Sequence, residues 1–360
     1  MAETIRVLLI DDSAFVRQAV QRMLAPLPNV EVVATAASGS EGIALARTLR
    51  PDVIVLDVNL PDQDGLEVLR SIMELAPTAV LMLSTLTSEG AQVTMRALEL
   101  GAVDFVDKTS AGTTMDIHRL GPVIRDKVLA MAGAAIPGDA AHSGVSAPAP
   151  ARPRPARRTT DLAPYDVVVI GSSTGGPRAL MEVIGPLPGD LAAAVVVAQH
   201  MPEGFTRTLA ERIDRRSAMR VMEAEDGMRL ENGTALIAPG GSQISLERDA
   251  EGLRVKVDAE PSDYLHRPCI DLLFRSAAET AGRRAVGVIL TGMGDDGAAG
   301  LRALRDAGAR TLAESEDTAV IFGMPRAAAP SAERVLPLEA IAQAVATLCG
   351  SRGEPAEGVE

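Results

Sequence analysis

Aromatic residues are scarce in this chain, which has no Trp, two Tyr and five Phe among 360 residues. Hydrophobic residues still make up 47% of the sequence, so its cores must be built from aliphatic side chains and from its 14 methionines. Cysteine is equally rare, and Cys269 and Cys349 are too few for a disulfide framework. The composition favours an aliphatic globular protein with room for two domains.

Excess basic charge and long apolar segments are also missing. The net charge is −13, and the basic run Arg152–Arg158 lies in a proline-rich stretch, so nucleic-acid binding, which needs Lys and Arg against phosphates, is disfavoured. Uncharged apolar runs such as Leu191–Ala198 are too short to span a bilayer. The chain begins MAETIRVLLIDD, without an apolar signal region. We expect a monomeric cytoplasmic protein with no membrane insertion and no nucleic-acid partner.

The first 130 residues alternate apolar runs with amphipathic segments. The runs predict strands at Ile5–Ile10, Val30–Ala34, Val53–Leu56, Val80–Leu83 and Asp104–Val106. Helices are predicted to begin near Ala14, Ser40, Leu66, Glu89 and Pro122. This pattern predicts a doubly wound, flavodoxin-like (βα)5 domain with its ligand site at the carboxyl ends of the strands.

Polar residues follow the predicted strands at that edge. Asp11 and Asp12 follow the first strand, Asp57 the third and Ser84 the fourth, and the fifth leads to Lys108. Three neighbouring carboxylates repel one another unless a cation joins them, and an all-oxygen ligand set beside a phosphate-handling group suits Mg2+. Lys108 and Ser84 could then hold a transferred phosphoryl group. The sequence therefore predicts a Mg2+-dependent phosphoryl site.

This arrangement resembles the receiver domain of bacterial two-component response regulators. The resemblance implies that Asp57 accepts phosphate from a sensor histidine kinase. It implies a Mg2+ site formed by three carboxylates and one backbone carbonyl, at Asp11, Asp12, Asp57 and Asn59. It also implies a conformational switch at Ser84, Phe105 and Lys108. The family usually has Pro after that lysine, whereas this chain has Thr109, so the local loop geometry stays open.

Periodicity is lost between about Ala132 and Pro164. The stretch APAPARPRPARRTT is rich in Ala, Pro and Arg, which predicts a semi-extended linker whose arginines are mainly solvated. We therefore predict a receiver domain at residues 1–131, a linker at 132–163, a second domain at 164–350 and a disordered tail at 351–360.

The second domain opens with the segment DVVVIGSSTGGP, Asp166–Pro177. Its apolar run predicts a strand buried on both faces, and Pro177 marks a helix start. Ser173 lies in the loop between them and has two interpretations. It either caps the helix in a tight glycine-rich turn, or it is a nucleophile beside the free N–H groups of a helix N-terminus.

Later segments predict a Rossmann-like, mostly parallel sheet for this domain. Strands are predicted at Ala194–Ala198 and Ala285–Leu290, with a helix over Pro268–Ala281. The segments Gln243–Arg248 and Leu253–Val257 predict an antiparallel hairpin at the edge of the sheet.

Three chemically distinctive residues follow predicted strands of this domain: Ser173, His200 and Asp296. The carboxyl ends of parallel strands meet at one edge, and an alcohol, a base and a carboxylate are the parts of a Ser–His–Asp relay. Their order differs from that of α/β-hydrolases, and the glycine spacing does not match a dinucleotide-binding motif. His266, just before the predicted Pro268 helix, is interpreted as a loop or capping residue.

Five ordered motifs behind the receiver and linker are GSSTGGP, QHMP, HRPCIDLLF, ILTGMGDDGAAGL and FGMPRAA. Together they resemble the chemotaxis protein-glutamate methylesterases of the CheB family over nearly the whole chain. The resemblance implies a triad of Ser173, His200 and Asp296, with the backbone N–H of Met293 as oxyanion donor. Two positions depart from residues often found in the family, Asp295 (often Asn) and Glu314 (often Gln). Both are expected to add negative charge near the site and to affect rate and substrate preference.

The resemblance implies a phosphorylation-regulated serine esterase. Such an enzyme hydrolyses glutamate γ-methyl esters, and deamidates selected glutamines, on the cytoplasmic helices of methyl-accepting chemoreceptors, with a CheA-like kinase as phosphodonor. Mg2+ is expected in the receiver and no cofactor in the esterase domain. We also expect the receiver to cover the active site until Asp57 is phosphorylated. A non-catalytic regulator that binds a partner and an esterase of small-molecule esters remain as alternatives.

Overall fold

The computed structural model describes residues 4–84, 88–108, 120–132, 165–259 and 263–350. The strands of the first domain are β1 Ile5–Ile10, β2 Val30–Ala36, β3 Val53–Asp57, β4 Ala79–Ser84 and β5 Asp104–Asp107. Its helices are α1 Ala14–Leu24, α2 Gly39–Leu49, α3 Gly65–Leu75, α4 Ser88–Glu99 and α5 Gly121–Met131. Apart from Ala132, the predicted linker and tail lie outside the described residues, so the predicted domain boundaries stay predictions.

The first domain is an open parallel sheet with the strand order β2-β1-β3-β4-β5. Each neighbouring pair is parallel, and β3 and β4 are buried along their whole length because helices cover both faces. Polar side chains fix where helices begin, since the Ser13 hydroxyl accepts from Val16 N–H and the Asp64 carboxylate from Leu66 N–H. The flavodoxin-like (βα)5 prediction is confirmed.

The second domain continues the alternation of strands and helices. Its strands are β6 Val167–Ser172, β7 Ala194–Gln199, β8 Arg220–Glu223, β9 Thr234–Ile237, β10 Gln243–Asp249, β11 Gly252–Asp258, β12 Ala285–Ile289, β13 Arg310–Glu314 and β14 Arg334–Leu336. Its helices are α6 Gly176–Ile184, α7 Phe205–Asp214, α8 Ile270–Thr280, α9 Ala298–Asp306, α10 Met324–Ala328 and α11 Leu338–Cys349. Within the described residues, no helix is both long enough and apolar enough to cross a bilayer.

The main sheet of this domain has the strand order β14-β13-β12-β6-β7-β9-β8, and every neighbouring pair in it is parallel. The chain runs from β6 to β7 on one side and reaches β12 on the other. The strand order therefore reverses beside β6, and open α/β sheets bind ligands at the carboxyl ends of the strands at such a point. The Rossmann-like prediction is confirmed.

The hairpin β10–β11 is antiparallel, as predicted, but its predicted place at the edge of the main sheet is wrong. The two strands form a separate two-stranded sheet, β11 is bridged to Arg229 rather than to a strand of the main sheet, and β8 occupies that edge of the main sheet. The hairpin instead packs on α8, where Ile244 and Val255 share an apolar cluster with Phe274 and Leu246 N–H bonds the Ser276 hydroxyl. Its residues alternate between buried and partly exposed positions, so the apolar face needs a partner and the helix supplies one.

The two domains are packed against each other through β5, α4, α6 and α7. One apolar cluster includes residues of both domains, among them Met95, Phe105 and Phe205. The rings of Phe105 on β5 and Phe205 on α7 lie 4.5 Å apart between centroids. The contact joins the carboxyl edge of the first sheet to the second domain.

Candidate active site

The nucleophile loop is held by a glutamine at the end of β7. Ser172 Oγ donates to Gln199 Oε1 (2.6 Å), and Gln199 Nε2 donates to the carbonyl oxygens of Ser173 (2.9 Å) and His200 (3.0 Å). The amide therefore ties the loop after β6 to the loop after β7. Gly176 must be glycine here, because a Cβ at this position would lie 2.0 Å from Gln199 Oε1.

The loop after β12 supports Ser173 from the other side. Ser173 N–H donates to the Thr291 carbonyl (3.0 Å), and Thr291 Oγ1 donates to the Thr174 carbonyl (2.9 Å). Gly292 packs against the serine so closely that an added Cβ would lie 2.8 Å from Ser173 Cβ. The loops that carry Ser173 and Met293 are thus one hydrogen-bonded unit.

His200 and Asp296 form a direct pair, with His200 Nε2 2.8 Å from Asp296 Oδ2. Asp296 also accepts hydrogen bonds from the N–H groups of Ile270 and Asp271 (2.9 Å each), at the N-terminus of α8. Burial alone would raise the pKa of Asp296, but the His200 hydrogen bond and charge and these backbone donors hold that pKa well below its usual range. Asp296 is therefore a carboxylate fixed in place beside the imidazole.

The predicted catalytic residues line two clefts that share Ser173 and Met293. Ser173, Met293 and Asp296 line a cleft of about 1020 Å³, and Ser173, His200 and Met293 line a second one of about 380 Å³. Met293 is 37% exposed, although its side chain is apolar, because it stands at the rim of the cleft. The structure thus brings together the serine, the histidine, the aspartate and the oxyanion-donor residue that the sequence predicts.

His266 makes a contact that the sequence interpretation missed. It does lie in a loop before α8, but its imidazole stacks on that of His200, with the ring centroids 4.0 Å apart and the planes 20° from parallel. Burial first, and the neighbouring His200 second, lower the pKa of His266 to about 4, so its ring is neutral at pH 7. The signal in the sequence was its place directly before the helix whose N-terminus holds Asp296.

The two predicted departures from the family pattern have different surroundings. Asp295 is exposed and lines the larger cleft, as its expected charge effect requires. Glu314 is 0% exposed, and burial raises its pKa to about 7. The expected negative charge of Glu314 is therefore present in only part of the molecules at pH 7, and its effect on rate stays a prediction.

The carboxyl edge of the first sheet gathers the predicted acidic residues. Carboxylate oxygens of Asp11, Asp12 and Asp57 lie within 4.8 Å of one another. Lys108 Nζ lies 2.8 Å from Asp57 Oδ1 and 3.1 Å from Asp11 Oδ2. Burial opposes the charge on Lys108, but the two carboxylates raise its pKa above the ordinary value. Asn59 N–H bonds the Asp57 carboxyl. An all-oxygen cluster of this kind fits a hard divalent cation.

The predicted switch residues are engaged with other elements. Ser84 Oγ accepts from Thr94 Oγ1 of α4 (2.6 Å), and Phe105 packs on Phe205 of the second domain. Lys108 remains with the acidic cluster. Thr109 lies outside the described residues.

The residue after the candidate nucleophile is bonded to the first domain. Thr174 Oγ1 donates to Asp104 Oδ2 (2.6 Å), and Lys127 of α5 pairs with the same carboxylate. Farther along the interface, Arg212 of α7 pairs with Glu99 of α4 (2.7 Å). The smaller cleft is lined by both domains, with Phe105 and Lys127 on one side and Ser173 and His200 on the other.

Fold and sites together define a response regulator whose receiver is joined to an α/β domain with a Ser, His and Asp cluster. Residues 7–117 match the response regulator receiver domain family, and residues 168–345 match the CheB methylesterase family. The chain belongs to the CheB methylesterase family, as its motifs predicted.

Curated relatives and a solved structure carry this assignment. The chain is 44% identical over 353 residues to the protein-glutamate methylesterase/protein-glutamine glutaminase of Geobacillus kaustophilus, covering 97% of this chain and 99% of the relative. It is 44% identical over 324 residues to the Escherichia coli protein of that name, covering 90% of each. The crystal structure of the Thermotoga maritima CheB methylesterase catalytic domain covers 52% of this chain and 100% of that one, with 39% identity and a TM-score of 0.50.

Proposed function

We propose that this chain is a cytoplasmic, phosphorylation-regulated esterase that hydrolyses glutamate γ-methyl esters, and deamidates selected glutamines, on methyl-accepting chemoreceptors. The observation that carries the proposal is the His200–Asp296 pair, 2.8 Å apart, at the cleft onto which Ser173 opens. Membership of the CheB family supplies the substrate class.

In the acylation step, Ser173 Oγ attacks the ester carbonyl and its proton passes to His200. With Nε2 of His200 on Asp296, the ring nitrogen that would take this proton is Nδ1. Asp296 keeps the imidazole in that orientation and stabilises the imidazolium that forms. The negative charge that develops on the carbonyl oxygen is held by the backbone N–H of Met293.

The tetrahedral intermediate then collapses and the ester C–O bond breaks. His200 returns the proton to the departing methoxy oxygen, so methanol leaves and the γ-carbonyl stays on Ser173 Oγ as an ester. Water attacks this acyl-enzyme with His200 again as base, which releases the glutamate carboxylate and restores Ser173. For a glutamine substrate the same sequence releases ammonia in place of methanol.

The receiver residues fit a phosphoryl-accepting role. Asp57 would accept phosphate from a CheA-like histidine kinase, and Asp11, Asp12, Asp57 and the Asn59 carbonyl would hold Mg2+. Bound Mg2+ would neutralise phosphoryl oxygens during transfer. Lys108, already paired with Asp57, supplies a second cation for the phosphorylated carboxylate.

In this proposal, the unphosphorylated receiver covers the esterase site. The support is the Thr174–Asp104 hydrogen bond next to Ser173 and the cleft that both domains line. Phosphorylation of Asp57 would act on Ser84 and Phe105, and Phe105 contacts Phe205 directly. A charge gained at one edge of the receiver can thus loosen the contact that limits access to Ser173.

The direct test is methanol release from a methylated receptor fragment, with and without a phosphoryl donor. We expect Ser173→Ala to abolish release while the protein stays folded. Asp296→Asn should lower kcat by about 10³-fold or more, because the imidazole loses the partner that fixes its tautomer. The matched control is Asp190→Asn, the same chemical change at an exposed position that lines neither cleft, which should stay within about threefold of wild type.

Three results would overturn this proposal. Full activity in Ser173→Ala would remove the nucleophile assignment, and failure of the wild-type protein to release methanol would favour the non-catalytic regulator. Equal turnover of small methyl esters without receptor would instead favour the small-molecule esterase.

A further inference from the structure

Glu314 is a buried carboxyl group that the reaction above does not use. It ends β13, beside β12, and is 0% exposed. Its Oε2 accepts from Thr291 N–H (2.7 Å), and its Oε1 accepts from Thr318 Oγ1 (3.1 Å). No ion pair joins it to a cation among the residues that the structure describes.

Thr291 connects this carboxyl group to the reacting centre. The Thr291 carbonyl accepts from Ser173 N–H (3.0 Å), and its hydroxyl accepts from Ile321 N–H (2.9 Å). Two residues farther along the same loop is Met293, the proposed oxyanion donor. Glu314 therefore lies directly behind the loop that carries the oxyanion donor. The same loop is hydrogen-bonded to the backbone of the nucleophile, Ser173.

We propose that Glu314 is a positioning residue that makes the esterase rate depend on pH near neutrality, with the neutral carboxyl as the faster form. This inference rests on the proposed esterase function. Loss of the proton places an uncompensated negative charge behind the N–H that must stabilise an oxyanion.

The surroundings of Glu314 favour titration in this range. Burial is the largest cause of its raised pKa, and the charged groups that add to it are the carboxylates of Glu182 on α6 and Glu339 on α11. The hydrogen bonds from Thr291 and Thr318 act in the opposite direction. The balance gives a pKa of about 7.

Both protonation states fit the same geometry, so charge is what separates them. The neutral carboxyl can donate its proton to Thr318 Oγ1, which also accepts from Leu338 N–H (3.0 Å), and still accept from Thr291. A glutamine makes the same two contacts with its NH2 and carbonyl groups. Glu314→Gln is therefore a permanent copy of the neutral state.

The experiment measures kcat for methanol release between pH 5.5 and 8.5, roughly 1.5 units either side of neutrality, in the full-length wild type and Glu314→Gln. The ratio of variant to wild-type kcat removes the pH dependence that His200 contributes to both. We expect this ratio to rise about three- to tenfold from low to high pH, because the charge that Glu314 gains lies behind the loop of the oxyanion donor and opposes the negative charge of the transition state. The ratio of variant to wild-type KM should stay constant over this pH range, because Glu314 is fully buried and does not line the cleft.

The matched control is Glu316→Gln, the same change two residues away at an exposed position, for which the ratio should be flat. A second variant, Thr318→Val, removes a hydrogen bond that lowers the Glu314 pKa. The fall in kcat that follows deprotonation of Glu314 should therefore occur at higher pH in this variant than in wild type. This variant also covers the case in which Glu314→Gln does not fold.

A flat ratio for Glu314→Gln in an active enzyme, or a profile that Thr318→Val does not move, would overturn the inference and leave the proposed function intact. Absence of methanol release from wild type at every pH would overturn the proposed function and this inference together.

Discussion

His266 illustrates how one side chain can act on a catalytic group without a place in the reaction. Its ring covers one face of the His200 imidazole and lines both clefts. The stack limits the rotation of His200, whose edge must face Asp296 and the serine at the same time. His266 is therefore proposed as a positioning residue.

We predict that His266→Ala lowers kcat about three- to tenfold, because a stacked ring pair contributes roughly 0.5–1.5 kcal/mol beyond its buried area. His266→Phe should recover most of that loss, since it restores a flat ring without a titratable nitrogen. Methanol release by the two variants provides the measurement. Equal losses in Ala and Phe would show that the imidazole nitrogens, and not the stack, matter.

The same pair of variants has a signature in stability. The pKa of His266 is lowered to about 4 from 6.5, so the folded state resists a proton that the unfolded chain accepts. His266 therefore supports stability above about pH 6.5, and that support is lost as the pH falls towards 4. Relative to His266→Phe, the free energy of unfolding of the wild type should fall over this interval.

For single residues, the sequence predicted which edge of the sheet a residue lies at, but not which side chains it contacts. Ser173, His200 and Asp296 could be placed because each follows a strand, and parallel strands bring their carboxyl ends to one edge. The stack of His266 on His200 and the burial of Glu314 depend on how distant segments pack. No local pattern in the sequence carries that information.

Among the elements, α4 and α7 carry the clearest electrostatic contact between the domains. Glu99 at the end of α4 pairs with Arg212 (2.7 Å), and both side chains are partly buried; the exposed Arg216 lies 3.5 Å from Glu99. Arg212 also donates to the Gln92 carbonyl (3.1 Å), which adds a second link to α4. The pair lies away from Ser173, so it can be changed without touching the reacting groups.

We predict that Glu99→Gln raises the rate of methanol release without a phosphoryl donor about two- to fivefold, because a partly buried ion pair of this kind contributes on the order of 1 kcal/mol. The rate with the donor should change less. Glu74→Gln, the same substitution at an exposed position of α3, serves as the control. An unchanged basal rate in Glu99→Gln would argue against a closed unphosphorylated state held by this interface.

The elements themselves were largely predictable. Apolar runs located β1 to β7 within a few residues because strands buried on both faces leave an uninterrupted signal. The hairpin was predicted as a hairpin but placed wrongly, since its alternation shows only that one face needs cover. Whether a sheet edge or a helix such as α8 supplies that cover is a matter of tertiary packing.

For the whole molecule, the proposal separates two sites with different requirements. In this proposal, phosphoryl transfer to Asp57 would need a divalent cation on the acidic cluster, whereas ester hydrolysis is expected to need none. Chelation should therefore abolish activation by a phosphoryl donor and leave the basal rate of methanol release in place. Asp57→Asn should reproduce the chelated behaviour in the presence of Mg2+. Loss of the basal rate on chelation would place a metal requirement in the esterase domain.

The Thr174–Asp104 hydrogen bond also implies an effect of the esterase domain on the receiver, the reverse of the proposed regulation. In the proposed mechanism this bond breaks when substrate reaches Ser173, and because Asp104 belongs to the receiver, its loss affects both domains. Coupling free energies are reciprocal: whatever phosphate at Asp57 does for occupancy of the cleft, occupancy of the cleft does equally for phosphate. In the proposed mechanism, a receptor segment bound beside Ser173 would therefore stabilise the phosphorylated form of the receiver by the same free energy.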